Sequence, residues 1–150
     1  MPQLKPWQVA VDFLEGLLRA LGEEGRVEVR EEKGRIYINI RGRFSLIPGE
    51  DKTFREALAR LVRLRLGRAG ARVSLVLDVN GALRAREEAL ATRARELARR
   101  AVREKRRIEL EPMPPGERRI VHLALADFPG VRTYSVGEGE KRHVVIEPTG

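Results

Sequence analysis

The feature that most constrains the fold is the segment 109–125, in which two prolines precede an amphipathic helix pattern. Pro114 and Pro115 suit the entry and first turn of a helix but not its interior. Arg118 and His122 follow at a spacing of four residues, which places both side chains on one face of that helix. An arginine fork beside an imidazole is a compact site for a phosphate or a nucleotide edge. The apolar residues available for burial are Ile120, Val121, Leu123, Ala124 and Leu125.

The first half of the chain mixes helical and strand patterns. Gly22 is placed to end the first helix, Thr53 to cap the second, and Trp7 to anchor the first helix by packing. A turn at 32–34 predicts a hairpin between the first two strands. The predicted elements are a helix at 6–21, strands at 26–31 and 35–41, a single helical turn at 43–47, a helix at 53–67 and a strand at 72–79.

The second half begins with a long helix pattern at about 82–105, rich in Ala, Leu, Arg and Glu. Glu96 and Arg100 have the spacing of a helical ion pair. A short strand is predicted at 108–110, before the helix that carries Arg118. Two further strands, 131–136 and 143–146, form a hairpin around a glycine-rich turn.

Several of these residues together resemble a known family. The Arg118-x-x-x-His122 pair in the frame LEPMPPGERRIVHLAL, followed by Gly137-Glu-Gly-Glu and the strand 142–148, resembles the R-three-H domain at the C-terminus of the bacterial Jag family, the SpoIIIJ-associated proteins. The likeness extends back through 77–81 and the Arg/Glu-rich stretch 84–88. In that family this strand-to-helix junction joins a KH domain to the R-three-H domain.

The resemblance implies an α+β fold with two domains. Residues 1–80 are expected to form a type II KH domain of order α-β-β-α-α-β. A long helix joins it to a small α/β R-three-H domain over residues 81–150. By the resemblance, the chain is expected to begin directly at the KH half, without the separate N-terminal Jag module.

The KH half departs from the family pattern at its phosphate clamp. A nucleic-acid-binding KH domain uses a Gly-x-x-Gly loop, which lets the backbone approach phosphates closely. In the corresponding segment 46–52 only Gly49 is present, and Glu50 and Asp51 would repel phosphate. We therefore expect an impaired clamp and a scaffold role for this half. The nearby arginines form either a diffuse basic surface or an ordinary solvated helix face; they are Arg55, Arg60, Arg63 and Arg65.

Composition narrows the class of protein. The net charge of +8 is almost entirely due to arginine, since only five of the thirty basic residues are lysines. Two basic clusters, 55–72 and 93–107, are typical of a protein that binds a polyanion, although a high-GC or heat-adapted genome also enriches arginine. The sequence lacks cysteine and has two histidines, which excludes disulfides and a structural zinc site. We expect no cofactor and no metal.

Neither a membrane span nor a secretory leader is predicted, because no run of eighteen apolar residues and no leader pattern is present. A cytoplasmic location is therefore expected. Enzyme activity is not predicted. Glu117 or Asp127 could form an acid/base pair with His122, but no activated nucleophile, metal cage or phosphate loop accompanies it.

The predicted nucleic-acid-binding residues are Arg118, Arg119, His122, Lys141, Arg142 and His143. If the His122 imidazolium contacts phosphate, binding should fall as pH rises through its titration. Arg119 could instead pair with Glu111 or Glu117. Lys141, Arg142 and His143 could be edge-strand solubilisers or line the same groove. Tyr134 fits cross-strand packing better than a base-stacking role.

These observations predict a protein that binds single-stranded RNA or DNA. By the resemblance, it would be a post-transcriptional regulator or RNA chaperone. The alternative is a protein-interaction adaptor that pairs with another KH-domain protein or associates with the membrane insertase or cell-division machinery. Salt-sensitive RNA binding would favour the first, and salt-insensitive association with a protein the second.

Overall fold

The computed structural model describes residues 4–32, 34–48 and 51–150. The chain divides into two compact units, Met1–Arg84 and Ala85–Gly150. The described residues form four α-helices, a short 3-10 helix and two three-stranded sheets, which confirms the α+β class. The elements are α1 (Pro6–Ala20), β1 (Arg26–Glu32), β2 (Arg35–Arg41), α2 (Lys52–Arg68), β3 (Ser74–Val79), α3 (Ala82–Glu104), β4 (Ile108–Glu109), α4 (Pro115–Leu125), β5 (Val131–Val136), the 3-10 helix Gly139–Lys141 and β6 (His143–Pro148).

The sheet of the first unit has the order β1-β2-β3, with β1 antiparallel and β3 parallel to β2. Side chains alternate between the two faces of this sheet, so apolar residues of all three strands lie on one face. Val29 is paired with Ile38, for example, and Ile38 with Leu77. This face packs against α1 and α2 to form the core, and Trp7 packs at its margin as predicted. The predicted hairpin is confirmed by pairing from Arg26 with Arg41 to Glu32 with Arg35; Lys33 of its turn lies outside the described residues.

The predicted helical turn at 43–47 is wrong. The segment has bends and no helix, because the Glu23 carboxylate holds it in another conformation. The backbone N–H groups of Ser45 and Leu46 donate to Glu23 at 3.1 and 2.7 Å, and the Ser45 hydroxyl donates at 3.1 Å. Glu23 is only 8% exposed, and these donors, the Leu46 N–H foremost, lower its pKa. The described elements of the first unit therefore follow the order α-β-β-α-β.

The start of α2 also differs from the prediction. Asp51, not Thr53, is the N-cap, and its carboxylate accepts a hydrogen bond from the Phe54 N–H at 2.9 Å. Thr53 lies inside the first turn of the helix. The predicted degenerate clamp depends on Gly49 and Glu50, which lie outside the described residues.

The junction between β3 and α3 is organised by the buried carboxylate of Asp78, which is 0% exposed. It accepts hydrogen bonds from the Tyr37 hydroxyl at 2.6 Å and from the N–H groups of Leu83 and Arg84 at 2.8 and 3.0 Å. The N–H groups of Leu83 and Arg84 lie in the first turn of α3, where backbone N–H groups have no acceptor within the helix. Asp78 therefore caps α3 and fixes where it begins.

The second unit contains one antiparallel sheet of order β4-β6-β5. Val144 and Ile146 of β6 share a core with Val121 and Leu125 of α4 and with the small buried residues of α3, which are Ala94, Ala98 and Ala101. The predicted Glu96–Arg100 pair is wrong, because Arg100 pairs with Glu104 instead, at 3.3 Å. The small alanines allow α3 to lie close to the rest of the core.

Candidate nucleic-acid interface

The helix α4 begins as the two prolines predict. Pro114 is the N-cap residue with extended backbone, and Pro115 is the first helical residue. The Arg118 N–H donates to the Pro114 carbonyl at 3.0 Å, which completes the first turn. Since Val121 and Leu125 are buried, the helix is held firmly enough to present Arg118 and His122 from one side.

His122 is held by two hydroxyl groups of β5. Its Nδ1 lies 2.8 Å from Thr133 Oγ1, and its Nε2 lies 3.0 Å from Ser135 Oγ. A neutral imidazole has one donor and one acceptor nitrogen, and each hydroxyl can serve either role. Both hydrogen-bonding positions of the ring are therefore occupied within the protein.

The electrostatic surroundings of His122 favour the neutral ring. Partial burial lowers its pKa, and the positive charge of Arg118 lowers it further. The expectation that an imidazolium here contacts phosphate is therefore not supported by the geometry or the charges. The Arg118 and His122 side chains are neighbours, as their spacing predicts, but the arginine disfavours protonation of the histidine.

Arg118 is anchored at one point of its guanidinium. Its Nε donates to the Met113 carbonyl at 3.1 Å, and the side chain is half-buried. Arg119, the next residue, is exposed. Within residues 4–32, 34–48 and 51–150, neither arginine forms an ion pair with a carboxylate. The hydrogen bond from the Arg118 side chain to Met113 uses Nε, so its two Nη groups remain as donors that suit a phosphate.

The carboxylates closest in sequence to these arginines have other partners. Glu111 accepts two hydrogen bonds from the Arg93 guanidinium, and Arg93 lowers the Glu111 pKa to about 2. Glu117 pairs with Arg86 at 3.0 Å. The alternative that Arg119 pairs with Glu111 or Glu117 is therefore wrong in this structure, and so is the use of Glu117 as an acid/base partner of His122.

The three basic residues after the glycine-rich turn lie in different surroundings. Lys141 is exposed in the 3-10 helix, whereas the Arg142 Nη1 donates to the Gly137 carbonyl at 2.8 Å and closes the turn. His143 Nδ1 donates to the Lys141 carbonyl at 2.9 Å, and its Nε2 lies 3.3 Å from the Glu109 carboxylate. The carbonyl of Lys141 and then Glu109 raise the His143 pKa. Arg142 and His143 thus serve the local structure.

Strand alternation separates His143 from His122. Thr133 pairs with Ile146 and shares its core face, which is also the face that α4 covers. His143 precedes the core residue Val144 and therefore points to the opposite face of β6. The structure brings Arg118 and His122 together but does not bring His143 to them.

Tyr134 also lies on the face of the sheet away from α4, since it alternates with Thr133. It is half-buried and pairs across the strands with Val145. The Arg132 guanidinium lies 5.6 Å from the centre of its ring. This placement agrees with the predicted packing role.

Thr133 and Ser135 are the site residues that sequence reasoning missed. A signal for them was available, because alternate positions of a predicted strand face the same side. What the sequence could not show is that this side meets the helix that carries His122.

The described residues contain no group of three or more His, Cys, Asp or Glu side chains that could hold a metal ion. None of the helices in those ranges has the length and apolarity to cross a membrane.

Comparison with known protein families first identifies the domain class of the second unit. Residues 88–148 match the model of the R-three-H domain, so the second unit carries an R-three-H domain and the resemblance predicted for it is confirmed. The match spans most of the long helix, α4 and the hairpin described above.

The relative from Bacillus subtilis then gives the family, and two further relatives share its name. The chain is 34% identical over 148 residues to the RNA-binding protein KhpB of Bacillus subtilis (strain 168), covering 96% of this chain and 71% of that protein. It is 33% identical over 141 residues to the protein of that name from Clostridium symbiosum, covering 91% of this chain and 64% of the relative. The KhpB protein of Streptococcus pneumoniae serotype 2 (strain D39 / NCTC 7466) is 36% identical over 73 residues, which cover 49% of this chain and 22% of that protein. The chain belongs to the KhpB family.

Proposed function

We propose that this protein binds single-stranded RNA through its R-three-H domain, with Arg118 and Arg119 of α4 as the phosphate-binding residues. Its KhpB relatives are named RNA-binding proteins, and the R-three-H match covers both arginines. Single strands are the expected substrate because the deep, narrow major groove of an RNA duplex is closed to side chains such as those of α4, whereas the backbone of a single strand is accessible to exposed arginines.

The observation that carries this proposal is the way the neighbouring charges are paired. Glu111 and Glu117 are neutralised by Arg93 and Arg86 of α3. These ion pairs remove the two carboxylates that would otherwise compete with phosphate for Arg118 and Arg119. An arginine pair without a carboxylate partner in the described residues is a local positive potential that attracts a polyanion.

The first unit is proposed to be a KH-like domain of type II over about residues 1–80 with the R-three-H domain from 81 onward. Its helices lie on one face of a mixed sheet, and the order of the strands supports the assignment. The described residues lack the short helix that the family pattern has between β2 and α2. With only Gly49 in the loop, we propose that this unit contributes little to phosphate binding.

Fluorescence anisotropy with labelled single-stranded oligonucleotides tests the proposal. Arg118→Gln and Arg119→Gln should each weaken RNA binding by about ten- to a hundredfold, as expected for one charge-assisted phosphate contact. Arg132→Gln, which removes the same charge from the opposite face of β5, should bind like the wild type. RNA and DNA of one sequence, titrated side by side, give the preference between them. Unchanged affinity in both α4 variants would overturn the proposal.

A protein-adaptor role is the second candidate, and the observation that favours it lies on α2. Leu61 and Leu64 are 46% and 59% exposed and are three residues apart, so they share a face of the helix. An apolar face of this kind suits contact with another protein, such as a second KH-domain protein. Association that persists at high salt and is lost in Leu64→Glu would support the adaptor role.

A further inference from the structure

The imidazole of His122 is enclosed by partners at both nitrogens. Thr133 and Ser135, two residues apart on β5, approach the ring from that strand at 2.8 and 3.0 Å. Each ring nitrogen makes one good hydrogen bond in the plane of the ring. A phosphate or base could therefore bind the imidazole only by displacing one of these hydroxyls.

The two hydroxyls lie on the face of β5 that α4 covers. Thr133 is paired with Ile146 and Ser135 with Val144, and both partners are fully buried core residues. The hydrogen bonds of His122 thus join the polar side of α4 to the strand beneath it. Arg118 stands one helical turn before His122, so any rotation of α4 that these two hydrogen bonds prevent would also move the Arg118 guanidinium.

We propose that His122 is a positioning residue, not a nucleic-acid ligand: with Thr133 and Ser135 it forms a clamp that fixes α4 on β5 and so aims Arg118 at the phosphate. This inference rests on the proposed function. It assigns to Thr133 and Ser135 a part in binding although neither is required to touch the nucleic acid. It also separates the two residues of the Arg-x-x-x-His pair, with one as the contact and the other as its support.

Matched substitutions on β5 distinguish a clamp from a ligand. Thr133→Val removes the hydroxyl and keeps the shape, whereas Thr133→Ser keeps the hydroxyl. Ser135→Ala and Ser135→Thr form the same pair at the second position. If His122 positions Arg118, the variants without a hydroxyl should bind labelled single-stranded RNA about three- to tenfold more weakly, the range for one lost hydrogen bond, and the variants with one should bind like the wild type. If His122 contacts the RNA, freeing its nitrogens should leave affinity unchanged or increase it, which would overturn the proposal.

Rescue at position 122 gives a second readout. His122→Gln retains a donor and an acceptor near the position of Nε2, so it should recover at least half of the binding free energy that His122→Ala loses. Salt dependence is measured in an Arg118→Gln background, where the positioning of Arg118 no longer affects binding. There His122→Ala should leave the slope of log affinity against log salt unchanged at about pH 5.5, because a positioning residue releases no counterion. A slope shallower by about 0.7 in Arg118→Gln/His122→Ala than in Arg118→Gln would show an imidazolium contact and overturn the proposal.

The controls keep folding and function apart. Each variant is first melted by circular dichroism, and affinities are compared only at temperatures at which it is folded. Should Thr133→Val fail to fold, Ser135→Ala and the His122→Gln rescue still decide the outcome. Arg118→Gln and Arg119→Gln serve as references: if both bind as tightly as the wild type, the proposed function fails. If Arg118→Gln alone is unchanged, or if it loses affinity while the β5 variants without a hydroxyl do not, only the clamp is overturned.

Discussion

Asp51 accepts a hydrogen bond from the Phe54 N–H and caps α2, at the end of the loop where a KH clamp would bind phosphate. The same carboxylate adds negative charge to that loop. Two substitutions separate these effects, because Asn is as good an N-cap as Asp and carries no charge.

We predict that Asp51→Ala lowers the free energy of unfolding of the first unit by about 1 kcal/mol, and that Asp51→Asn changes it by only a few tenths. Urea denaturation followed by circular dichroism measures both. Equal losses in the two variants would show that the cap contributes nothing. In a parallel RNA titration, tighter binding by Asp51→Asn would show that charge at this loop repels phosphate.

At single residues, the sequence predicted some structural roles and left others open. Asp51 and Thr53 both belong to residue types that cap helices, so the pattern alone could not choose between them. The spacing of Arg118 and His122 was sufficient to place them together. The hydroxyl partners of His122 are eleven and thirteen residues away, and only the packing of α4 on β5 brings them to the ring.

At the scale of elements, the turn between β5 and β6 depends on Gly137. Its φ is +88°, and a Cβ there would lie 2.9 Å from the Lys141 carbonyl. Gly139 has a φ of +58°, with nothing within 4 Å of a Cβ. Both positions require left-handed backbone, but only Gly137 is also sterically closed.

We therefore predict that Gly137→Ala destabilises the second unit by roughly 2 to 4 kcal/mol, and Gly139→Ala by about 1 kcal/mol, the usual cost of left-handed backbone for alanine. Thermal melting of the two variants beside the wild type gives the comparison. A smaller effect at Gly137 than at Gly139 would contradict the steric argument.

The contact between α4 and β5 predicts a pH dependence of stability. The pKa of His122 is lowered in the folded state below its ordinary value of 6.5, by burial and by Arg118. The unfolded chain then binds the proton more readily, so the stability from this group is complete above pH 6.5 and is lost as pH falls through the folded pKa. His143 has a raised pKa, and its contribution is present below 6.5 and lost as pH rises.

Because the two histidines act in opposite directions, the experiment uses a His143→Gln background. We predict that its melting temperature falls between about pH 8 and about pH 5 by more than that of the His143→Gln/His122→Gln double variant. Scanning calorimetry at both pH values measures the difference. Identical pH dependence in the two proteins would mean that His122 has the same pKa folded and unfolded.

Most elements could be predicted because their signals are local. The prolines before α4, the alternation in β1 and β2, and the helical spacing in α1 each lie within the element that they specify or directly beside it. The segment 43–47 could not be predicted, because its conformation is set by Glu23, which is 22 residues from Ser45 in sequence. A carboxylate that supplies acceptors to a loop from that distance leaves no periodic pattern in the loop itself.

At the scale of the whole molecule, the net charge does not by itself show which arginines bind a polyanion. The chain carries thirty basic and 22 acidic residues, and a net charge of +8 attracts any polyanion to some extent. Binding by general attraction varies with the total charge, so it does not matter which arginine is replaced. Binding at a defined site is weakened only when an arginine of that site is replaced. The composition could indicate a polyanion partner, but it could not show that Glu111 and Glu117 pair with Arg93 and Arg86, so that Arg118 and Arg119 have no carboxylate partner among the described residues.

The most direct test of the central claim is the salt dependence of RNA binding in charge-matched variants. In the first, Arg118 and Arg119 are both changed to Gln; in the second, the same change is made at Arg26 and Arg132, which are paired with Glu28 and Glu147. We predict that the slope of log affinity against log salt becomes shallower by about 1.4 in the first variant, at about 0.7 per phosphate contact in a single strand, and stays at the wild-type value in the second. Equal slopes in the two variants would contradict the account, because binding would then follow net charge and not the surface of α4.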